Sequence, residues 1–272
     1  MPHPERHTAT GKAGELSYLS WPGPQTATPI LFLHPVNTAA AVWEQVTAEL
    51  GGERPAVAVD YRAHGRSGAA GPYQPGDYAA DAFAVLDAAG IGRAHVVCGS
   101  IGGAVAAELT AAAPERVASI AAFGATLRVG WGADLIDEAV AALRELGVRE
   151  WFTRHGGEIL GPASRPGAAG ELVELATVGR DGDRDLDTVI EVLQTTFGQA
   201  DARAAAASID ALPPTRAFVG THDPTCPPEM AHELAGSLGG DVREIPDIGH
   251  LPMLEDPRGT ARAVHDFLSE LG

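Results

Sequence analysis

Short, continuous apolar runs alternate with amphipathic stretches over the first half of the chain. Three of these runs comprise residues 30–33, 56–59 and 94–98. Runs without a polar alternation are typical of strands that are covered on both faces. Between them, the spacing of apolar positions predicts helices at about 40–50 and 78–89, and a helix of small residues covers 102–113. The pattern predicts an α/β fold with a mostly parallel central sheet flanked by helices.

The rest of the chain divides into a helical middle and a second α/β stretch. Residues 15–21 alternate as an early edge strand would, and later strands are predicted at 116–123, 215–220 and 241–245. Strand signals disappear from 127–210, where helical stretches surround a Gly/Pro-rich loop at 156–170. We therefore expect a core domain from 1–126 and 211–272, with 127–210 inserted after the sixth strand as a helical cap. Extra helical packing away from any substrate is the alternative.

A serine lies where the strand at 94–98 turns into the helix of small residues. Ser100 is followed by Gly102 and Gly103, which leave room where a helix passes close to the strand before it. A strand, a sharp turn and a helix with serine at the apex form a nucleophile elbow. The usual pattern at such a turn is Gly-x-Ser-x-Gly. In this chain Cys98 takes the place of the first glycine, which we interpret as a tolerated departure because cysteine is small.

Further polar residues follow the ends of other predicted strands. His34 and Asp60 come directly after two of the buried strands, and ligands of parallel sheets bind at the carboxyl ends of strands. A serine hydroxyl is a weak nucleophile unless a base accepts its proton and an acid orients that base. The chain supplies Ser100, Asp223 and His250 in the order of the α/β-hydrolase arrangement. These three residues are the predicted catalytic triad.

Several segments together resemble the α/β-hydrolase superfamily over nearly the whole chain. The matching segments are residues 33–36, 60–67, 98–102, 220–223 and 249–250. The segments around Asp223 and His250, together with 151–153, look most like the lactone and ester hydrolases of the 3-oxoadipate enol-lactonase type. The resemblance implies a cofactor-free serine hydrolase that opens a lactone or cleaves a small carboxylic ester through an acyl-enzyme.

The same resemblance implies where the oxyanion hole lies, and the positions of further residues indicate candidates for substrate contact. The oxyanion donors would be the backbone N–H groups of Ile101 and Val36, and each such donor is typically worth about 10²–10³ in rate. The candidates for substrate contact are His34, Asn37, Arg128, Trp131, Trp151 and Phe152. Arg128 would suit a substrate carboxylate, but a solvated surface arginine is an equal alternative. The three aromatic residues wall an apolar pocket or simply pack within the helical insertion.

Charge and cysteine content limit the kinds of partner and the cellular location that we expect. The net charge is −17, with 36 acidic against 19 basic residues, which argues against nucleic acid and anionic membrane surfaces. Two cysteines imply no disulfide framework, and no apolar run has the length of a signal peptide or of a membrane span of roughly 20 residues. We expect a cytoplasmic protein whose partner is a small ester or lactone, with no metal or cofactor.

Other functions share the same predicted fold and triad. A carbon–carbon bond hydrolase and a perhydrolase-like enzyme use the same three side chains. A hydrolase-like receptor with little turnover belongs to a different class, and the complete Ser-Asp-His set argues against it.

Overall fold

The protein is built on an eight-stranded, mostly parallel sheet. The structure is a computed structural model that describes residues 3–272, so Met1 and Pro2, which the expected core range includes, lie outside the described residues. The strands are β1 (Glu5–Gly11), β2 (Gly14–Trp21), β3 (Ile30–Leu33), β4 (Ala56–Val59), β5 (Ala94–Gly99), β6 (Val117–Phe123), β7 (Val178–Gly179), β8 (Gly182–Asp183), β9 (Thr215–Gly220) and β10 (Asp241–Ile245). The order of the strands in the eight-stranded sheet is β1-β2-β4-β3-β5-β6-β9-β10, and β7 and β8 form a separate pair.

Because most strands are parallel, the loops at their carboxyl ends lie on the same side of the sheet. β1 pairs with β2 and β2 with β4 in antiparallel fashion, whereas the other neighbours in the sheet are parallel. The carboxyl ends of β3, β5, β6, β9 and β10 therefore point the same way. The predicted α/β fold class, a mostly parallel sheet flanked by helices, is confirmed.

Helices cover both faces of the sheet. They are α1 (Glu44–Glu49), α2 (Pro75–Ala88), α3 (Gly102–Ala112), α4 (Ala133–Leu146), α5 (Val148–His155), α6 (Ala168–Thr177), α7 (Leu186–Val192), α8 (Arg203–Ala207), α9 (Pro228–Ser237), α10 (Pro252–Glu255) and α11 (Pro257–Glu270). The alternation of side chains along β3 shows the two cores. Leu31 and Leu33 pack in the cluster that contains α2, α3 and α9, whereas Ile30 and Phe32 pack with α1 and α11.

The residues between β6 and β9 form five helices, α4 to α8, and have a hydrophobic cluster of their own. This cluster includes Ile136, Leu143, Phe152 and Val189. α6 joins this cluster to the main body, because its Ala176 packs in the cluster whereas its Leu172 packs with α1 and α11. The expectation that 127–210 contains no strand is wrong in one detail, since β7 and β8 form a two-residue antiparallel hairpin.

The sequence does not predict β1. For this reason the expected edge strand, residues 15–21, is the wrong one. β1 is almost wholly exposed, and only Ala9 in it is buried, so the strand has no apolar pattern to recognise. It pairs with the whole length of β2, with Ala9 opposite Leu16. Residues 15–21 are therefore an inner strand between β1 and β4, and β1 is the edge.

No helix within residues 3–272 combines the length and the apolar character that crossing a bilayer requires.

Candidate active site

Ser100 occupies a strained turn between β5 and α3. Its φ of 54° lies in the left-handed region, which costs a non-glycine residue about 1–3 kcal/mol. Neighbouring strands hold the turn, because the Ser100 N–H donates to the Phe123 carbonyl at 3.2 Å and its carbonyl accepts the N–H of Thr126 at 3.1 Å. A Cβ at Gly103 would come within 2.9 Å of the Thr126 carbonyl, so the close approach of α3 requires glycine there.

The three predicted catalytic side chains meet at the carboxyl ends of β5, β9 and β10. The Ser100 Oγ lies 3.0 Å from His250 Nε2, and His250 Nδ1 lies 3.0 Å from each carboxylate oxygen of Asp223. All three residues are buried. Because an ionised carboxylate only accepts, it requires the proton on Nδ1 and leaves the Nε2 lone pair facing the serine hydroxyl.

Backbone donors hold the Asp223 carboxylate in place. Its Oδ1 accepts the N–H groups of Thr225 at 2.9 Å and Cys226 at 2.8 Å. Gly124, with a φ of 51°, passes beside it, and a Cβ there would lie 3.0 Å from Asp223 Oδ2 and 2.5 Å from the His250 carbonyl. A side chain at position 124 would therefore collide with both the acid and the backbone of His250, so this close approach requires glycine.

Two backbone N–H groups near Ser100 have no partner. Within residues 3–272, neither the Val36 N–H nor the Ile101 N–H donates to a protein acceptor. Ile101 is the N-cap residue directly before α3, so its N–H is one of the unsatisfied donors of a helix start. The loop of Val36 is fixed on its far side, where the Asn37 N–H donates to His64 Nε2 at 3.1 Å and the Ala40 N–H to Asp60 Oδ1 at 2.8 Å.

The structure gives His34 a different role from the expected substrate contact. The ring is fully buried, its Nδ1 donates to the Pro35 carbonyl at 2.8 Å, and its Nε2 accepts the Tyr61 N–H at 3.1 Å. Burial lowers the pKa of His34 to about 4, so the ring is neutral near pH 7. Both ring nitrogens are used by the backbone, and we correct the assignment from substrate contact to support of the loop.

Asn37 remains a candidate for substrate contact. Its backbone is left-handed, with a φ of 58°, and its side-chain Oδ1 accepts a bond from Arg184 Nη1 at 3.0 Å. The side-chain amide N–H groups of Asn37 donate to no acceptor in the part of the chain that the structure describes. Arg184 was not among the predicted residues.

The remaining predicted contacts lie in the helical segment or at its start. Trp131 packs on Phe197 with ring centres 4.7 Å apart and touches both the main core and the cluster of α4 to α7. Phe152 is buried in that second cluster, and Trp151 packs on it at 4.8 Å. Packing thus accounts for all three aromatic residues. Arg128 forms a backbone bridge with Asp201, whose pKa is lowered mainly by hydrogen bonds from Arg203 and further by the charge of Arg128.

Sequence reasoning missed Glu255, a buried carboxylate next to the triad. Its Oε2 accepts the Gly161 N–H at 2.7 Å and the Ser164 hydroxyl at 2.6 Å, and it also bonds to the backbone around His250. The segment after Gly249 resembles that of the lactone and ester hydrolases, but nothing in the sequence indicates that residues 161–164 contact it. The only signal was an acid five residues after the predicted base.

Comparison with known proteins places the chain in a family. A model of the alpha/beta hydrolase family matches residues 30–263. The chain belongs to this family. The resemblance inferred from the sequence motifs is thereby confirmed.

Individual relatives agree with this membership. The chain is 38% identical over 105 residues to a putative carbamate hydrolase, RutD, from Azorhizobium caulinodans, a match that covers 38% of each protein. The match spans between 36% and 38% of the length of the three curated relatives found. Two solved structures superpose over nearly the whole chain. The enol-lactonase of Burkholderia xenovorans LB400 has a TM-score of 0.84 at 22% identity and covers 97% of this chain and 100% of its own.

The second solved structure is the esterase RhEst1 from Rhodococcus sp. ECU1013. It has a TM-score of 0.80 at 25% identity and covers 98% of this chain and 99% of its own. Because the fold hosts many reactions, these likenesses establish the architecture, and the chemistry has to be argued from the site.

Proposed function

We propose that this chain is a serine hydrolase of carboxylic esters or lactones, with Ser100 as nucleophile, His250 as base and Asp223 as the orienting acid. The observation that carries the proposal is the unbroken hydrogen-bonded series from the Asp223 carboxylate through both nitrogens of His250 to the Ser100 hydroxyl. A serine without such a base is a poor nucleophile near pH 7. The names of the relatives, which include a lipase, esterases and an enol-lactonase, support the same reaction class.

In the first half-reaction, Ser100 Oγ attacks the carbonyl carbon of the substrate while its proton passes to His250 Nε2. The resulting oxyanion accepts the two free N–H groups of Val36 and Ile101, which are fixed before the substrate arrives. The Asp223 carboxylate stabilises the imidazolium that forms. His250 then gives its proton to the leaving alkoxide, the carbon–oxygen bond breaks, and an acyl-enzyme remains.

In the second half-reaction, water attacks the acyl carbon and His250 Nε2 accepts its proton. The bond to Ser100 Oγ breaks, the proton returns to that oxygen, and the carboxylic acid leaves. A lactone keeps its alcohol tethered to the acyl group, so the only product is a hydroxy acid or its keto tautomer. The chain itself supplies every group that these steps need, so the proposal includes no cofactor.

The proposal assigns residues 127–210 to a cap over the site. Two contacts between this segment and the core support it, namely Arg184 on Asn37 of the oxyanion loop and the Gly161 N–H on Glu255 beside the catalytic loop. The partner is then a small ester or lactone, and a net charge of −17 disfavours nucleic acid and anionic membranes. A cytoplasmic location is part of the proposal, in keeping with two buried cysteines, Cys98 and Cys226, that are both free.

The experiment that tests the proposal is covalent labelling with a fluorophosphonate, followed by intact-mass measurement and peptide mapping. One adduct on Ser100 is the expected result, together with hydrolysis of simple aryl esters. Ser100→Ala should lose the adduct and several orders of magnitude in turnover with an unchanged melting temperature. The matched control is Ser208→Ala, since the hydroxyl of Ser208 is exposed and bonds only to a helical carbonyl. Folded wild-type protein without an adduct would favour a receptor with little turnover.

A further inference from the structure

Arg184 is a buried cation that lies against the oxyanion loop. It lies between β8 and α7, is 7% exposed, and uses one nitrogen, Nη1, to donate to Asn37 Oδ1 at 3.0 Å and to the Ala176 carbonyl at 3.2 Å. Its Nε and Nη2 atoms are enclosed and have no acceptor among residues 3–272. One edge of the guanidinium is therefore bound by the protein, and the other edge is unused.

Within residues 3–272, no carboxylate forms an ion pair with this charge. Burial lowers the pKa of Arg184 to about 10, so the group is still charged near pH 7. The titratable groups that face it are Tyr73, Tyr78, His34 and His64. Burial raises the pKa of both tyrosines and lowers that of both histidines, so all four are neutral near pH 7. An unpaired buried charge is strongly destabilising, which indicates a missing anionic partner.

The unused edge has the shape of a carboxylate receptor. The N–H groups on Nε and Nη2 are parallel and coplanar, and this fork accepts the two oxygens of a carboxylate in a bidentate manner. The opposite edge holds Asn37, the residue directly after Val36, whose N–H is a proposed oxyanion donor. The guanidinium thus lies one residue from a proposed oxyanion donor, and a carboxylate on its free edge would be bound beside the oxyanion loop.

We infer that Arg184 binds a carboxylate of the substrate, so that the favoured substrates are esters or lactones carrying a second, ionised carboxyl group. This inference rests on the proposed function. Because Nε and Nη2 contact no solvent, the loop that carries Arg184 has to shift when the carboxylate enters. The overall charge of −17 repels anions, so a local cation is the feature that makes such a substrate acceptable.

Arg128, the carboxylate candidate from the sequence, fits this role less well. Its Nε also lacks an acceptor within residues 3–272, but its backbone bridges to Asp201. Hydrogen bonds from Arg203 are the main cause of the lowered pKa of Asp201, and the charge of Arg128 adds to them, so Arg128 lies near an acid. Arg184 has no acidic ion-pair partner among the described residues. The two arginines therefore serve as a matched pair in the test.

The test compares an anionic and a neutral ester of similar size, monoethyl glutarate and ethyl hexanoate, in a pH-stat. The wild-type protein should show a kcat/KM at least tenfold higher for the anionic ester. Arg184→Gln keeps a donor for Asn37 but removes the charge, and it should lower this ratio at least tenfold. Arg184→Lys should recover part of the ratio, whereas loss of packing alone would affect both esters equally.

Two controls define the result. Arg180→Gln changes an exposed arginine in the turn between β7 and β8 that pairs with Glu15, and it should leave the ratio unchanged. Arg128→Gln should do the same. A ratio near one in the wild-type protein, or an unchanged ratio in Arg184→Gln, would overturn the inference while leaving the hydrolase proposal intact.

A binding measurement keeps the inference testable without turnover. Glutarate should raise the melting temperature of the wild-type protein, Ser100→Ala and Arg180→Gln, but not that of Arg184→Gln. If no ester is cleaved and Ser100 takes no label, the proposed function fails, and the glutarate shift still reports on Arg184 alone. Equal shifts in wild type and Arg184→Gln would show that the anion binds elsewhere and would refute the carboxylate site.

Discussion

The carboxylate of Glu255 bonds to the backbone on both sides of His250. Its Oε2 accepts the N–H of Gly249 at 2.9 Å, and its Oε1 accepts the N–H of Leu251, also at 2.9 Å. The residue that carries the proposed base is thus held at both of its neighbours by one buried acid. Since proton transfer depends on the distance between Nε2 and the Ser100 hydroxyl, we expect Glu255 to be a positioning residue for the proposed base.

Glu255→Gln should therefore reduce kcat with little effect on KM. The amide NH₂ replaces one acceptor oxygen and faces backbone donors, and each buried donor left without an acceptor costs about 1–3 kcal/mol. We expect kcat to fall roughly tenfold to a hundredfold, as for a misplacement of about 1 Å, with a lower melting temperature. Steady-state kinetics and the rate of fluorophosphonate labelling measure the effect.

The control for this substitution is Glu158→Gln, which changes an exposed acid close in sequence to the segment that Glu255 contacts. It should change neither kcat nor stability. If Glu255→Gln lowers only the melting temperature and labels Ser100 at the wild-type rate, the residue is structural and does not position the base.

Gly124→Ala tests the packing around the acid and the base. The glycine has a φ of 51°, and the added Cβ would lie 2.5 Å from the His250 carbonyl and 3.0 Å from Asp223 Oδ2. A left-handed backbone costs alanine about 1–3 kcal/mol, and the contacts add to this cost by displacing both side chains. We expect a clear loss of unfolding free energy and at least a tenfold loss of kcat, measured by denaturant unfolding and ester kinetics.

Gly90→Ala separates the two contributions. Gly90 has a comparable φ of 69°, but a Cβ there would meet nothing within 4 Å. This variant should lose stability through the backbone alone and keep full activity. Equal activity losses in the two variants would show that the packing around Asp223 is not responsible.

The sequence predicted the parallel strands and the triad from different signals. Strands buried on both faces are continuous apolar runs, and Ser100 stands out just after the run at 94–98. Asp223, three residues after β9, and His250 were predicted from the order Ser-Asp-His along the chain. β1 escaped prediction because only Ala9 in it is buried. An edge strand that is held mainly by backbone hydrogen bonds need not show an alternation of apolar and polar residues in its sequence.

The supporting residues escaped prediction for another reason. Arg184 lies 147 residues from its partner Asn37, and Glu255 lies 94 residues from Gly161. Neither pairing follows from spacing, because a buried charge and its partner meet only after the helical segment folds against the core. His34 was misassigned because its position after β3 matches a ligand site, whereas its ring turns inward to the backbone.

Asp223→Asn should lower kcat by about 10⁴ while the fold is retained. The N–H groups of Thr225 and Cys226 at Oδ1 orient the new amide, because they need its oxygen. Its NH₂ then faces His250 Nδ1 and forces the proton onto Nε2, where it opposes the Ser100 hydroxyl. A kinetic loss below tenfold would move the orienting acid to another residue.

Buried histidines make stability depend on pH. Burial lowers the pKa of His34 to about 4 and holds that of His64 well below its usual 6.5, and the positive charge of Arg184 acts in the same direction on both. In the unfolded chain, a histidine takes up its proton near pH 6.5. Between about pH 6.5 and pH 4 the unfolded state therefore binds more protons, and stability falls as the pH decreases through this window.

His34→Gln should flatten the dependence of the unfolding free energy on pH. One proton bound only by the unfolded state contributes up to about 1.4 kcal/mol per pH unit, so the variant should lose up to this slope between pH 4 and 6.5. Denaturant unfolding at half-unit intervals of pH measures this slope. The contribution of the acidic residues is the same in both proteins and cancels when the variant is compared with wild type. His232→Gln changes an exposed histidine and should keep the wild-type slope. A wild-type slope in His34→Gln as well would show that His34 carries its proton in the folded protein too.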